Sequence, residues 1–315
     1  MRALGRPAGA AALCGVAGLA VVGCGVHRQF EPPGPMASAL LAFAAEAGST
    51  PAEGVDAWRE LDAIADRIDR RHRRTGGDWM DAFDAVVFGE LGYQREIDSD
   101  DARFFRLPSM IAARRGSCLG LGALYLVLGE RLGVALDGIL VPGHFFVRTR
   151  GPAARNVELL RGGEAMPDDW YRNKYGPWPA SAAEYMRPLS PSEVAAVGWF
   201  NLGNHARKAK DLLNAARAYA RAAARFPAFA EAQASLGAVR HLAGDLDEAE
   251  AAYLKAARAR DDLPGLARNL AVLKREQQPR DPTPRDPTTR DSTTRDSTTR
   301  DSTTRDSTTI ERRSR

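Results

Sequence analysis

The sequence predicts an α+β unit followed by an all-α unit. Residues 119–132 form one long apolar helix-forming run, and three short strand-like runs follow at 135–141, 144–149 and 156–160. A buried helix followed by a meander of strands is typical of an α+β unit. Residues 195–262 then repeat with a period of 34, which is typical of stacked helix pairs.

The net charge of +4 on this 315-residue chain lies at its two ends. Residues 1–23 carry +2 and residues 279–315 carry another +2, so residues 24–278 are formally neutral. A neutral folded part has no net field that attracts phosphate, so we expect no nucleic-acid partner. The hydrophobic share of 44% and the charged share of 27% also exclude a wholly disordered or multi-span membrane chain.

The first 23 residues have the pattern of an export signal. Arg2 and Arg6 precede an apolar run over residues 8–22, which is too short to span a bilayer. The run ends in Val-Val-Gly-Cys24, which resembles a bacterial lipobox. That resemblance implies cleavage before Cys24 and acylation of its thiol, hence a membrane-anchored protein of the bacterial cell envelope that faces the periplasm. The alternative is a conventionally cleaved signal or a short anchor.

Residues 24–50 are predicted to be a tether because a Glu-Pro-Pro-Gly-Pro stretch at 31–35 cannot pack. From residue 36 to residue 115 the pattern is nevertheless helical. Leu61, Ile64 and Ile68 recur at three- and four-residue intervals, which predicts an amphipathic helix that ends at Gly76.

Residues 191–278 are predicted to be two tetratricopeptide repeats and a capping helix. Leu202, Gly203, Ala215, Tyr219 and Ala222 recur 34 residues later as Leu236, Gly237, Ala249, Tyr253 and Ala256. Small residues at these positions let paired helices approach closely, and a capping helix over 263–274 covers the last pair.

Residues 279–315 are predicted to be a disordered spacer. They contain RDPTP, RDPTT and four copies of RDSTT, with almost no apolar residue.

Cys118, His144 and Glu158 are the candidate catalytic residues. Cys14 would leave with the signal and Cys24 would be acylated, so Cys118 remains as the thiol. It stands at the predicted start of the apolar helix, where free backbone N–H groups favour the nucleophilic thiolate. A hairpin centred on residue 151 would place His144 directly opposite Glu158. In that arrangement His144 takes the thiol proton and Glu158 orients the imidazole.

The segments RRGSCLGLGALYLVLGERLGV, LVPGHFFVR and NVELLRGG carry a family resemblance. Together they resemble the transglutaminase-like superfamily, and most closely its SirB-type branch. The resemblance covers roughly residues 57–275 and implies a cysteine-protease-like domain over residues 51–190. Many SirB-type proteins lack the cysteine, whereas this chain has Gly-Ser-Cys118. Its acidic residue is Glu158 where aspartate is usual, and Asn156 is an alternative orienting group.

The functional prediction is cysteine-dependent acyl transfer or amide hydrolysis on a protein or peptide substrate. This chemistry needs no cofactor, and the histidines lack the spacing of a zinc site. In the alternative function, the chain is a non-catalytic scaffolding lipoprotein whose repeats bind a peptide partner, and Cys118 is a small buried core residue. The aromatic stretch of Trp170, Tyr171, Tyr175, Trp178 and Tyr185 is predicted either to line the substrate groove or to pack a domain junction.

Overall fold

The structure, a computed structural model, describes residues 32–96 and 101–278. The predicted signal peptide, Cys14, Cys24 and the RDSTT tail lie outside the described residues. Within the described ranges, no helix combines the length and the apolar character needed to cross a membrane.

Helices make up the first part of the described chain. Their bounds are α1 Pro35–Glu46, α2 Pro51–Thr75, α3 Trp79–Asp84 and α4 Leu107–Ala113. Helix α3 continues as a π-helical turn over Ala85–Glu90, and a 3-10 turn over Ala102–Phe104 precedes α4. Helix α2 begins with a capping box between Thr50 and Glu53 and ends at Gly76, which adopts a left-handed conformation with φ 63°.

Helix α1 shows that the tether prediction was wrong for residues 35–46. Leu40 and Phe43 are buried in the core. The Glu130 carboxylate accepts hydrogen bonds from the backbone N–H groups of Met36 and Ala37, at 2.8 and 3.0 Å. These N–H groups have no partner within the helix, so Glu130 both caps α1 and attaches it to the domain.

Helix α5, Cys118–Leu132, is almost completely buried. It packs on a five-stranded antiparallel sheet with the strand order β6-β5-β4-β3-β7. The strands are β3 Leu136–Val141, β4 His144–Thr149, β5 Asn156–Glu158, β6 Glu164–Met166 and β7 Pro188–Leu189. A separate parallel pair joins β1 Gln94–Arg95 to β2 Arg115–Gly116.

The predicted strand over 156–160 is shorter than expected, because residues Leu159–Arg161 form a 3-10 turn. The mixed helical and sheet character agrees with the predicted α+β class, and this unit carries one further helix, α6 Asp168–Tyr175.

Glycines set the distance between α5 and its neighbours. A Cβ built on Gly122 would lie 2.5 Å from the Phe145 ring, and one built on Gly138 would lie 2.6 Å from the same ring. The ring therefore fills the space between helix and sheet. A Cβ built on Gly120 would lie 2.1 Å from the carbonyl oxygen of Phe104. Helix α5 therefore also touches the backbone of the preceding 3-10 turn.

The C-terminal part is helical: α7 Pro191–Lys208, α8 Leu212–Arg225, α9 Ala230–Ala243, α10 Leu246–Ala259 and α11 Leu266–Gln277. Helix α7 packs with α8, and α9 packs with α10. Tyr219 fills the space above Gly203, and Tyr253 fills the equivalent space above Gly237. Strand β7 leads directly into α7, which fixes the helical part beside the sheet.

Replacing Gly120 with alanine is expected to lower the free energy of unfolding by about 1–3 kcal/mol, because the added Cβ collides with the Phe104 carbonyl. Gly54→Ala is the matched control. A Cβ on Gly54 meets nothing within 4 Å, so this variant is expected to stabilise α2 by about 0.5–1 kcal/mol. Equal urea denaturation curves for the two variants would contradict the close packing of α5.

Candidate active site

Cys118 lies at the first position of α5, where the helix itself supplies no carbonyl partner for the backbone N–H. Ser117 is the N-cap: its hydroxyl accepts from the Gly120 N–H at 3.2 Å and donates to the Phe104 carbonyl at 3.0 Å. These bonds hold the start of the helix in place. Cys118 is partly exposed, packs against the hydrophobic core and borders a cavity.

His144 is the first residue of β4. Pro142 and Gly143 form the two-residue turn before it, with Gly143 at φ 69°, and His144 pairs with Val141 across this hairpin. Side chains alternate along a strand, so His144 lies on the face opposite Phe145. Because it is the first residue of β4, its imidazole lies at the end of the strand, where it also reaches Cys118 at the start of α5. Helix α6 covers the face on which His144 lies.

Glu158 joins the imidazole from β5. Its Oε2 lies 2.7 Å from the His144 Nε2, and its Oε1 accepts a hydrogen bond from the Leu160 N–H at 3.0 Å. Both side chains are buried, at 3% and 2% exposure. Leu160 thus holds the second carboxylate oxygen, and Tyr171 of α6 lies beside the same carboxylate.

The predicted register of the β4–β5 hairpin was wrong by two residues. Val147 pairs with Val157 and Arg148 with Asn156, so His144 does not lie directly opposite Glu158. A shift of two residues keeps every side chain on its original face of the sheet. The two side chains are therefore diagonal neighbours on one face, and the longer glutamate reaches the imidazole.

The surroundings of His144 favour its charged form. Burial lowers the pKa of the imidazole, but hydrogen bonds and charge interactions with Cys118 and Glu158 outweigh burial and raise the pKa to about 9. Cys118 therefore lies close enough to the imidazole to stabilise its charged form. Since Glu158 occupies Nε2, Nδ1 is the ring nitrogen left for the sulfur.

Two tyrosines of α6 cover the imidazole. The Tyr175 ring stacks on His144 with ring centres 4.5 Å apart and an angle of 5° between the planes. Tyr171 stacks on the neighbouring Phe146 at 3.8 Å. Burial and then the charges of Glu158 and Cys118 raise the pKa of Tyr175. These contacts shield one side of the imidazole from water.

The aromatic stretch therefore divides between the two predicted roles. Tyr171 and Tyr175 cover the imidazole, and Tyr185 lines the cavity beside Cys118. Trp178 contacts Tyr185, with ring centres 5.8 Å apart, near the helical C-terminal part. Asn156 does not act as the alternative orienting group. Its amide oxygen accepts from Arg148 at 2.6 Å, and its amide nitrogen donates to the Met166 carbonyl and to Asp168, both at 2.8 Å.

A cavity of about 340 Å³ opens beside Cys118 and His144. One wall belongs to the β3–β4 turn, and the opposite wall is formed by Phe200, Asn201 and Asn204 of α7. These α7 residues were not predicted from the sequence. They fall between the periodic positions of the repeat pattern, so only the packing of α7 beside the sheet identifies them.

Within residues 32–96 and 101–278, no three or more histidine, cysteine, aspartate or glutamate side chains come together in a way that could hold a metal ion.

Comparisons with known proteins identify the family of part of the chain. Residues 56–196 match the family model Transglut_core2, described as the transglutaminase-like superfamily. The chain thus carries a transglutaminase-like domain over this range.

Two relatives are UPF0162 proteins from the Temecula1 and 9a5c strains of Xylella fastidiosa. Each is 36% identical over 70 residues, which cover 22% of this chain and 25% of the relative. The chain therefore spans about a quarter of the length of these curated relatives. A crystal structure of menin, whose description states that it reveals the binding site for the Mixed Lineage Leukemia protein, is similar with a TM-score of 0.36 and 13% identity. That similarity covers 71% of this chain and 66% of the menin chain.

The raised pKa of His144 makes the stability of the domain depend on pH. A pKa of about 9 in the folded state exceeds the ordinary value of 6.5. The stabilisation from this group is thus fully present below pH 6.5 and is lost as the pH rises through 9. We expect the free energy of unfolding to fall over this window. In Glu158→Gln the fall is expected to be smaller, because one group that raises the pKa loses its charge. Denaturant titrations between pH 6 and 10 measure both curves, and identical slopes would contradict the coupling.

Proposed function

We propose that this chain is a transglutaminase-like cysteine enzyme that catalyses acyl transfer or amide hydrolysis through Cys118, His144 and Glu158. One observation carries the proposal: a buried imidazole pairs with a buried carboxylate at 2.7 Å and lines the same cavity as the Cys118 thiol, which helps to raise its pKa. A nucleophile, a base and an orienting acid in this order are what thioester chemistry requires.

In the first half of the proposed reaction, His144 accepts the Cys118 proton and the sulfur attacks the carbonyl carbon of a substrate amide. The resulting oxyanion accepts a hydrogen bond from the free backbone N–H of Cys118. His144 then gives its proton to the amide nitrogen, the C–N bond breaks, and the amine leaves. The acyl group remains on the sulfur as a thioester.

In the second half, an incoming amine or water attacks the thioester carbonyl and passes a proton to His144. The C–S bond breaks, and the proton returns to the sulfur. Glu158 keeps the imidazole oriented and stabilises its charged form throughout. An amine acceptor gives transfer, and water gives hydrolysis.

We further propose that the domain is of the SirB type and that α7 to α10 are two tetratricopeptide repeats with α11 as their cap. Supporting this, Gly203 and Gly237 are 34 residues apart and each contacts a tyrosine of the paired helix in the same way. The lipid anchor at Cys24 and a location in the cell envelope are part of the same proposal, and they rest on the sequence alone.

Alkylation of Cys118 by iodoacetamide tests the catalytic proposal. Removing the base in His144→Ala is expected to slow modification at neutral pH by about 100-fold, within the range that general bases contribute. Mass spectrometry of the Cys118 peptide measures the rate. His241→Ala is the matched control, because His241 pairs with Glu276 on the surface of the repeats. An unchanged rate in His144→Ala would contradict the catalytic proposal, and full protection of Cys118 in the folded wild type would support the scaffolding alternative.

Cys24→Ser tests the anchor. We expect this variant to lose palmitate labelling and to leave the membrane fraction, because the substitution removes the acylated thiol. Cys118→Ser is the control and is expected to retain the label. Continued labelling of Cys24→Ser would contradict lipidation at this residue.

A further inference from the structure

The cavity beside Cys118 is a groove between the transglutaminase-like domain and the helical C-terminal part. One side is formed by the β3–β4 turn and the adjoining ends of both strands, and the other by α7 and by Phe229, which precedes α9. The α7 residues Phe200, Asn201 and Asn204 lie beyond residues 56–196, which match the transglutaminase-like family. The helical part therefore supplies this wall of the groove.

Most of the groove surface is apolar. Leu140, Val141 and Val197 belong to its walls and are buried. The Phe200 and Phe229 rings also line it and contact each other, with ring centres 4.8 Å apart. The volume of about 340 Å³ lies within the range of ligand-binding clefts. Such a surface favours a ligand that buries an apolar side chain against it.

The charged side chains that border the groove already have partners. The His144 imidazole pairs with Glu158 at 2.7 Å. The Glu231 carboxylate pairs with Arg260 at 2.5 Å and accepts a hydrogen bond from the Tyr185 hydroxyl. A charged ligand side chain would therefore lose its water without gaining an ion pair from these groups, which favours an uncharged side chain.

Asn204 has hydrogen-bond donors that the protein does not use. Its amide oxygen accepts a hydrogen bond from the Tyr219 hydroxyl at 2.7 Å, which fixes the orientation of the amide. Its amide nitrogen donates to none of the described residues, and it is not one of the buried atoms that lack a partner. Because an amide nitrogen carries two N–H donors, Asn204 can donate to a carbonyl oxygen of a ligand in the groove.

The chain itself shows that helix packing does not require an asparagine at position 204. The residue 34 positions later is Ala238, whereas the neighbouring Gly203 recurs as Gly237. Each of these glycines contacts a tyrosine of the paired helix. The helix contact thus needs the glycine but not the amide, which leaves Asn204 available for binding.

We infer that the groove binds an uncharged apolar side chain of the size of leucine or phenylalanine, and that Asn204 donates a hydrogen bond to a backbone carbonyl oxygen beside that side chain. The inference rests on the proposed function and names its substrate class, because the same part of the substrate would present its amide to Cys118. Binding itself does not require the thiol, so the two can be tested separately.

The test uses the full chain with Cys118→Ala and a series of acetylated amino-acid N-methylamides that carry the side chain of alanine, leucine, phenylalanine, lysine or aspartate. The leucine and phenylalanine compounds are expected to bind about 10- to 100-fold more tightly than the alanine compound, because the groove buries their additional apolar surface. The lysine and aspartate compounds are expected to bind more weakly than the leucine compound. Methyl NMR titrations measure each affinity, and shifts of the Val197 methyl signals place the ligand in the groove.

Asn204→Asp tests the hydrogen bond, because it keeps an acceptor for the Tyr219 hydroxyl but removes the N–H donors. It is expected to weaken binding of the leucine compound about 10-fold. Asn269→Asp is the matched control: Asn269 lies beside the equivalent tyrosine, Tyr253, but does not line the groove. If Asn204→Asp fails to fold, Tyr219→Phe releases the amide and is expected to weaken binding as well, with Tyr253→Phe as its control.

The apolar site is overturned if the alanine, lysine or aspartate compound binds as tightly as the leucine compound, or if the Val197 signals do not shift. The role of Asn204 is overturned if Asn204→Asp binds the leucine compound as tightly as Asn269→Asp does. Selective binding together with an unchanged alkylation rate in His144→Ala would overturn only the proposed chemistry. A slowed alkylation rate without selective binding would overturn only this inference.

Discussion

The contact of α5 with the sheet determines the geometry of the candidate site. The Phe145 ring fits between Gly122 on the helix and Gly138 on β3, and a Cβ on either glycine would collide with it. Cys118 lies one helical turn before Gly122, and His144 directly precedes Phe145. The same contact that packs the core therefore sets the distance between the thiol and the imidazole. Because protein interiors are close-packed, a shift at this contact is transmitted to the neighbouring side chains.

Burial gives the His144–Glu158 pair its chemical character. A buried imidazole alone would favour its neutral form, but the carboxylate and the thiol reverse this preference. A buried pair of this kind contributes little to stability unless its hydrogen bonds are well formed. Here Leu160 holds the second carboxylate oxygen and Tyr175 covers the ring, so the pair stays ordered while the sulfur remains at the edge of the cavity.

Much of the domain could be predicted from the sequence, since α5 and the main strands follow strong local patterns. The shared face of His144 and Glu158 was also predictable, because a two-residue error in register preserves side-chain alternation. The register itself was not predictable. The loop after Thr149 is longer than a tight turn, and residue type alone does not determine its geometry. Strands β6 and β7 are only three and two residues long, too short for a periodic signal.

The tertiary contacts were the least predictable. Glu130, which caps α1, lies more than ninety positions along the chain from the residues that it contacts. Arg260, at the end of α10, pairs with Glu231 of α9 and with Glu184 before β7. Neither leaves a pattern in the local sequence. The groove between the two parts exists only because α7 is fixed beside the sheet, so its polar groups could be recognised only from the fold.

The most direct test of the account is an NMR titration of the His144 imidazole in the wild type and in Cys118→Ala. If thiol, imidazole and carboxylate act as one unit, the His144 imidazole has a pKa of about 9 in the wild type and a lower pKa once the thiol is removed. A pKa near 6.5 in the wild type, unchanged in Cys118→Ala, would contradict it.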